Sequence, residues 1–425
     1  MGLKVLVVDD DDIAGGLSKE LLSEAGFDAE LQTNSLKALD QIRANRYPLV
    51  VLDILMPGLD GLTLCHKIKS DSELKDTKVV MVSGKSFDAD KQRARQYGAE
   101  LFIEKPYNIE VFAAQIKDLL GKPEMPAAAP GAKPVDIVST PGAAVEVAIW
   151  GCRSLGTAAK QSEPSRYGTR TSCATLDLGD QFLIFDAGSG LETLGASLAA
   201  EGKRKDLWLF LTHFHKDHIQ GLGTFACAQD PAYTLHIAAA REPDKPLEQL
   251  VQEAFEASMR ADSNIAAAID LYEMQEESYE VIPGVQIASF YANHPGTTLG
   301  FVVEAKGKKI VYCPDSELYG DVATAMQDYD ERLGKICAGA DLLIHDGRYG
   351  SEDYRTLRNN GHSSYASAVD FAIRHGLKRL LLVHQDAQYP DQALDRMAAD
   401  AARIINEKAS ELQCSLGREG LKIGL

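Results

Sequence analysis

The chain has 425 residues, 45% of them apolar and 25% charged, which is a length for two or three domains and a balance that excludes wholesale disorder. Its 62 acidic and 44 basic side chains leave a formal net charge of -18, which disfavours broad binding to nucleic acid or anionic membrane. No apolar run reaches the roughly 18 residues of a membrane span, residues 1–8 lead into Asp9–Asp12 rather than a signal peptide, and the seven cysteines lack CxxC spacing, so a cytoplasmic protein with reduced thiols is expected.

Over residues 3–120, short β-rich runs alternate with amphipathic stretches. Strands are predicted at 4–8, 28–32, 49–52, 78–82 and 100–103, and helices near 13–25, 35–45, 61–69, 88–96 and 108–120. Five βα units with apolar central strands (VLVV, LVVL, VVMV) predict a doubly wound, flavodoxin-like parallel sheet, whose ligands bind at the carboxyl ends of the strands. Residues 122–143 hold five prolines and no amphipathic period, and are expected to be a semi-stiff linker between a first domain, 1–121, and a second, 144–425. Beyond it, strands are predicted at 146–150, 175–178, 182–185, 207–211, 233–237, 286–292, 300–304, 309–313, 341–345 and 380–383. Helices are predicted near 190–200, 246–261, 321–338, 364–375 and 391–412. Strands come in pairs with helices between blocks, the pattern of a β-sandwich flanked by helices.

In the first domain Asp9 and Asp10 follow the first strand, Asp53 the third, Ser83 the fourth and Lys105 the fifth. Three converging carboxylates need a hard cation, and Mg²⁺ with oxygen ligands suits them. Asp53 can then attack phosphorus to give an aspartyl phosphate, with Ser83 and Lys105 holding the new phosphoryl oxygens. VLVVDD at 5–10, VVLDILMPGLDG at 50–61, VMVSG at 80–84 and Lys105-Pro106 together resemble the receiver domain of two-component response regulators. The resemblance implies Asp53 as phosphoacceptor, Mg²⁺ on Asp9, Asp10, Asp53 and the Leu55 carbonyl, Phe102 as an aromatic switch residue, and a sensor histidine kinase as phosphodonor.

In the second domain His213, His215, Asp217 and His218 crowd into six residues after an apolar strand. Residues two apart on an extended loop aim at one metal, while Asp217 and His218 swing toward a second. His294, Asp315 and His384 each follow another apolar strand. Five imidazoles and two carboxylates without thiolate suit a pair of Zn²⁺ ions first, with Mn²⁺ or Fe as alternatives. Asp186, before a Gly-rich turn, reads as a residue that orients ligands from behind.

WGCRS at 150–154, RYGTRTSCATL at 166–176, FDAGSGLETLG at 185–195, THFHKDHIQGLGTF at 212–225, GTTLGFVVE at 296–304 and GHSS at 361–364 resemble the metallo-β-lactamase fold superfamily, an αββα sandwich. The similarity is to its cyclic-nucleotide phosphodiesterase-like and tRNase Z-like branch. It implies His213, His215 and His294 on a first metal, Asp217, His218 and His384 on a second, and Asp315 between them. It also implies a catalytic role for Asp217 and for His362, the latter donating a proton or hydrogen bond at the scissile phosphate. His345, with Asp346 beside it, is expected behind the ligands. That branch usually carries an RGS turn and a GGNTS segment. Here RSLG and GTRTS stand there, leaving Arg170 either to hold a phosphate or to be an ordinary loop residue.

The resulting expectation is a response regulator whose Asp phosphorylation controls a dinuclear-metal hydrolase. Its first reading is a phosphodiesterase for a nucleotide-type or other small phosphodiester. Hydrolysis of a lactone, thioester or amide, a di-iron redox sensor, and an adaptor that only binds a partner are the alternatives. The acidic stretch 246–281 is expected to cover the pocket or to form the face of a homodimer.

Overall fold

The computed structural model describes residues 3–75, 77–83, 93–94, 97–105, 112, 116, 136–156, 164–259, 263–319 and 327–425. The chain divides into two compact units, residues 1–127 and 128–425.

The first unit is a five-stranded parallel sheet of β1 (Lys4–Val8), β2 (Asp28–Gln32), β3 (Leu49–Asp53), β4 (Lys78–Ser83) and β5 (Leu101–Glu104), in the order β2-β1-β3-β4-β5. Helices α1 (Asp12–Glu24), α2 (Ser35–Asn45) and α3 (Gly61–Ser70) start on Asp11, Asn34 and Asp60, each of whose side chains accepts from backbone N–H groups of its first turn. The sheet is buried on both faces. Leu6, Val8, Val50 and Leu52 pack into one core and Val5, Val7, Leu49 and Val51 into the other, which is why its strands read as unbroken apolar runs. The helices predicted at 88–96 and 108–120 lie largely outside the described residues, although Phe112 and Ile116 are buried in the second of these cores.

The second unit has two seven-stranded sheets. One contains β6 (Glu146–Gly151), β7 (Cys173–Asp177), β8 (Phe182–Phe185), β9 (Asp206–Leu211), β10 (Thr234–Ala240), β11 (Ala268–Met274) and the late strand β19 (Lys422–Gly424). The other contains β12 (Ser278–Ile282), β13 (Val285–Tyr291), β14 (Leu299–Ala305), β15 (Lys308–Cys313), β16 (Leu342–Asp346), β17 (Arg379–Val383) and β18 (Gln413–Leu416). Strand alternation sorts the side chains. Leu176, Phe210, Phe301, Ile344 and Leu381 meet between the sheets, whereas Leu343, Leu380 and Leu382 turn outward. The outer face of the first sheet is covered by α4 (Gly190–Glu201) and α5 (Leu247–Ser258), that of the second by α6 (Gln327–Cys337), α7 (Tyr365–Arg374) and α8 (Asp391–Glu407). The order of layers is helix, sheet, sheet, helix.

Every strand predicted in this unit is present, and four more are found. The helix predicted near 246–261 is present as Leu247–Ser258, burying Leu247, Val251, Ala254 and Phe255, and among the described residues it is followed by β11 and β12, two edge strands that were not predicted. The helix predicted to 412 ends at Glu407, where Ala409 takes a positive φ of 50° and the chain turns into β18. Residues 122–135 of the predicted linker lie outside the described residues. Its far end is held by the second unit, with Ile137 N–H donating to Ser415 Oγ and Thr140 N–H to the Gly424 carbonyl. Among the described residues no helix is long and apolar enough to cross a membrane.

Candidate metal centre

Strands β13, β15, β16 and β17 run in one direction, as do β8 and β9, so their carboxyl ends share one edge of each sheet. That arrangement gathers residues far apart in sequence. β9 delivers Thr212 to His218, β13 His294, β15 Asp315 and β17 His384, while β8 and β16 bring Asp186 and Asp346. All seven predicted metal ligands come together. The ligand atoms of His213, His215, His294 and Asp315 lie within 4.8 Å of one another, as do those of Asp217, His218 and His384. Asp315 Oδ2 is 3.6 Å from His213 Nε2, 3.4 Å from His218 Nε2 and 3.7 Å from His294 Nε2, and its Oδ1 is 3.4 Å from His384 Nδ1.

Proton positions follow from partners that can only accept. His294 Nδ1 faces the Gly361 carbonyl at 2.8 Å, so that nitrogen carries the hydrogen and Nε2 keeps the lone pair. Gly361 has φ 83°, and a Cβ there would stand 2.7 Å from His294 Nδ1, so the close approach needs glycine. His218 Nδ1 is 2.8 Å from Asp186 Oδ2 and so carries a hydrogen; burial works against a charged ring there, but Asp315 and Asp186 on its two sides push this imidazole well above its usual range. Thr212 donates its hydroxyl to Asp186 Oδ1 and accepts from His213 Nδ1 at 2.9 Å, so that nitrogen carries a hydrogen as well. Asp186 is therefore the hub behind the centre, as predicted. It also accepts from Thr212 N–H at 2.8 Å and Tyr312 OH at 2.9 Å. Asp186 and His384 hold positive φ values of 59° and 63°, a strain of about 1–3 kcal/mol each that the surrounding bonds sustain.

The set fits bound cations. His213 Nε2, His218 Nε2, Asp315 Oδ1 and His384 Nδ1 are buried, with no hydrogen-bond partner among the described residues. Four orphaned basic atoms at one spot are costly unless a cation takes their lone pairs. The electrostatics of His213 and His294 agree. Burial holds the His213 imidazole well below its usual range and the His294 imidazole down at about 4, so both present neutral rings. Burial would raise the carboxyls of Asp217 and Asp315, yet the imidazoles around them keep both ionised, His384 foremost. Asp217 Oδ2 is fixed by His384 Nε2 at 3.0 Å and by the Leu155 N–H at 3.0 Å. His215 is exposed, opening that side of the centre to solvent.

His362 lies between the ligand groups, its ring 4.7 Å from that of His294 and 5.0 Å from that of His384. Its Nδ1 is 2.8 Å from Asp346 Oδ2 and its Nε2 is 2.8 Å from Arg348 Nη1. A guanidinium only donates, so Nε2 accepts, Nδ1 carries the proton and Asp346 receives it. Burial holds this imidazole down at about 4. In this state His362 accepts rather than donates at Nε2, which alters the expected proton-donor role.

The sequence expectation for His345 shifts. His345 is not behind the ligands: strand alternation turns it outward, onto Phe371, with Nδ1 on the Asp346 carbonyl. Asp346 takes the orienting place instead. Arg170 is clasped by Glu419, 2.5 Å from Nη1, while the unforeseen cation at the centre is Arg348, which a one-letter scan cannot distinguish from a surface arginine.

In the first unit, Lys105 Nζ sits 2.7 Å from Asp9 Oδ2 and 2.8 Å from Asp53 Oδ1, and the Leu55 N–H donates to Asp53 Oδ2 at 2.8 Å. Burial raises the Asp53 carboxyl above its usual value against the pull of Lys105. Ser83 is buried beside them on β4, its carbonyl accepting from Lys105 N–H. Phe102 is half-buried on β5, and Asp10 is exposed. Gly61 admits the α3 turn against Asp53, where a Cβ would fall 2.0 Å from the Asp53 carbonyl oxygen. Among the described residues, clusters of three or more potential ligand atoms occur in the second unit alone, so Asp10 does not join Asp9 and Asp53 in one.

A family model of the response regulator receiver domain matches residues 5–117, and one of the beta-lactamase superfamily domain matches residues 183–385. The polar-differentiation response regulator DivK of Brucella anthropi is 33% identical over 121 residues, 28% of this chain and 98% of its own length. Among solved structures, the metallo-beta-lactamase fold protein YhfI from Bacillus subtilis is 20% identical, with 65% of this chain and 98% of that one covered at a TM-score of 0.47. A diphosphatase from the PhnP family is 15% identical, covering 66% and 98% at a TM-score of 0.44.

Proposed function

Since this chain is a response regulator, with a receiver domain followed by a domain of the beta-lactamase superfamily, we propose that phosphorylation of Asp53 controls a two-metal hydrolase that cleaves phosphodiesters. The observation that carries the reading is the meeting of seven side chains from four strand ends, with buried basic atoms left unpartnered at their centre. In it, His213, His215 and His294 would hold one cation and Asp217, His218 and His384 the other, with Asp315 within reach of both groups. Zinc suits this donor set first. Bound there, such cations supply Lewis acidity toward water and toward a phosphoryl oxygen.

The chain's own groups do the rest. Asp186 fixes the tautomer of His218 and, through Thr212, that of His213. His362 Nε2 is the acceptor for the proton released by the attacking water, and Asp346 then balances the imidazolium. The same proton passes on to the leaving oxygen, so His362 donates only after it has accepted. In the receiver, a sensor histidine kinase supplies the phosphoryl group. Lys105, released from Asp53, pairs with the new charge, which places a new dianion-sized load at the ends of β3 to β5.

The test is turnover of bis(p-nitrophenyl) phosphate and of a cyclic and linear dinucleotide panel, after metal quantitation, with and without a beryllofluoride-type phosphoryl mimic. Metal-dependent diester cleavage is expected, falling at least about a thousandfold in D315A, with its response to the mimic lost in D53N. Cleavage of lactone, thioester or amide substrates with no diester turnover would overturn the phosphodiester reading.

A further inference from the structure

We propose that Arg348 selects the substrate of this centre, its guanidinium taking an anionic oxygen of a phosphodiester and, in doing so, leaving His362 Nε2 free to act. The inference rests on the hydrolase reading above and narrows its substrate to an anion.

Arg348 comes two residues after Asp346 at the end of β16, and its backbone N–H donates to Asp346 Oδ1 at 2.9 Å, which fixes the root of the side chain. From there Nη1 reaches His362 Nε2 at 2.8 Å. Because the His362 ring lies about equally close to those of His294 and His384, the guanidinium stands one imidazole away from both proposed cation positions.

Its present partners keep it charged without filling its fork of donors: burial works against the charge, but Tyr349, Asp386 and Asp346 more than offset that, and the guanidinium carbon lies 5.3 Å from the centre of the Tyr349 ring. The side chain is 21% exposed, so most of its hydration is gone. Among the described residues its Nε is buried without a hydrogen bond, with Asp386 Oδ2 3.5 Å away. A neutral imidazole lone pair, an aromatic ring and a carboxylate 3.5 Å from Nε leave the hydrogen-bond donors of the planar fork under-used. Charge-assisted bonds to a phosphate oxygen are roughly twice as strong as neutral ones, and the fork matches phosphate geometry. A diester anion arriving at the metals is therefore the better partner for Nη1. The uncharged carbonyl group of a lactone, thioester or amide brings no compensating charge and leaves Arg348 on His362. One residue thus couples binding of the right charge to uncapping of the proton acceptor.

The experiment compares wild type, R348Q and R348K as full-length, metal-loaded protein, with metal content and circular dichroism as checks on folding. Calorimetry measures binding of inorganic phosphate. Turnover is measured on bis(p-nitrophenyl) phosphate and on the neutral ester p-nitrophenyl acetate. R348Q is expected to bind phosphate about ten to a hundredfold more weakly, the worth of one charge-assisted contact, and to lower the diester-to-ester ratio of kcat/KM by a similar factor. R348K, which keeps the charge but not the fork, should fall between. Equal phosphate affinity in R348Q and wild type, or equal losses on both substrates, overturns the assignment. Failure of the wild type to cleave either compound would sink the hydrolase reading instead, and the phosphate titration would still decide Arg348.

Discussion

Asp186 shows how much of the candidate metal centre rests on a residue outside the seven proposed ligands. Its two oxygens receive four donors: Thr212 N–H and hydroxyl on Oδ1, His218 Nδ1 and Tyr312 OH on Oδ2. Burial and this carboxylate push the Tyr312 phenol well above its usual range, so it stays a donor. Asparagine has the same shape but accepts at one atom only, so two of the four donors lose their partner. D186N is expected to weaken metal affinity about 10–100-fold, read by competition with a chromophoric chelator; unchanged affinity would show that His218 needs no such support. The hub was legible from an aspartate closing a strand, but its four partners were not, because they depend on which strand lies beside it. His345 and Asp346 make the same point: adjacent in sequence, they face opposite sides of β16, and only the core assignment says which faces the candidate centre.

At the scale of elements, the centre depends on two sheets staying in register. Phe301 on β14 is fully buried and lies 5.9 Å from Phe185 and 5.7 Å, edge-on, from Phe210 across the sandwich. F301A is expected to cost about 3–5 kcal/mol in denaturant unfolding of the second unit. A loss below about 1 kcal/mol would mean that the sheets do not share this core. Long apolar strands announced themselves by composition. The four that escaped are edge strands: β11 and β12 are interrupted by acidic residues (Asp270, Glu273 and Glu280), and β18 and β19 are short. At a sheet edge fewer side chains are buried, so the periodic signal fades and pairing decides the conformation.

For the whole molecule, all seven cysteines are buried and free, as their scattered spacing implied. Burial pushes Cys65 and Cys227 up to about 11, Cys152, Cys337 and Cys414 up to about 12, and Cys173 and Cys313 upward as well. The native state thus holds thiol protons that the unfolded chain releases near pH 8.5. Their contribution to stability is complete below that pH and is lost as the pH climbs toward 11–12. Unfolding free energy is expected to fall above about pH 8.5. At pH 8, a thiol-titrating disulfide reagent should find no group in native protein and seven after denaturation. Prompt native-state labelling would contradict the burial.

The sequence by itself determined the two folds, the acidic pocket of the first unit and the seven gathered metal-ligand candidates, because these rest on local patterns: apolar runs, turn residues, and histidines two and three apart beside a strand. Tertiary structure alone decided which nitrogen of each imidazole is free, that Asp346 rather than His345 addresses the centre, and that Arg348 caps His362 while Arg170 is held by Glu419. Those outcomes turn on which side chains from distant strands meet at one edge, and distance along the chain carries no trace of that.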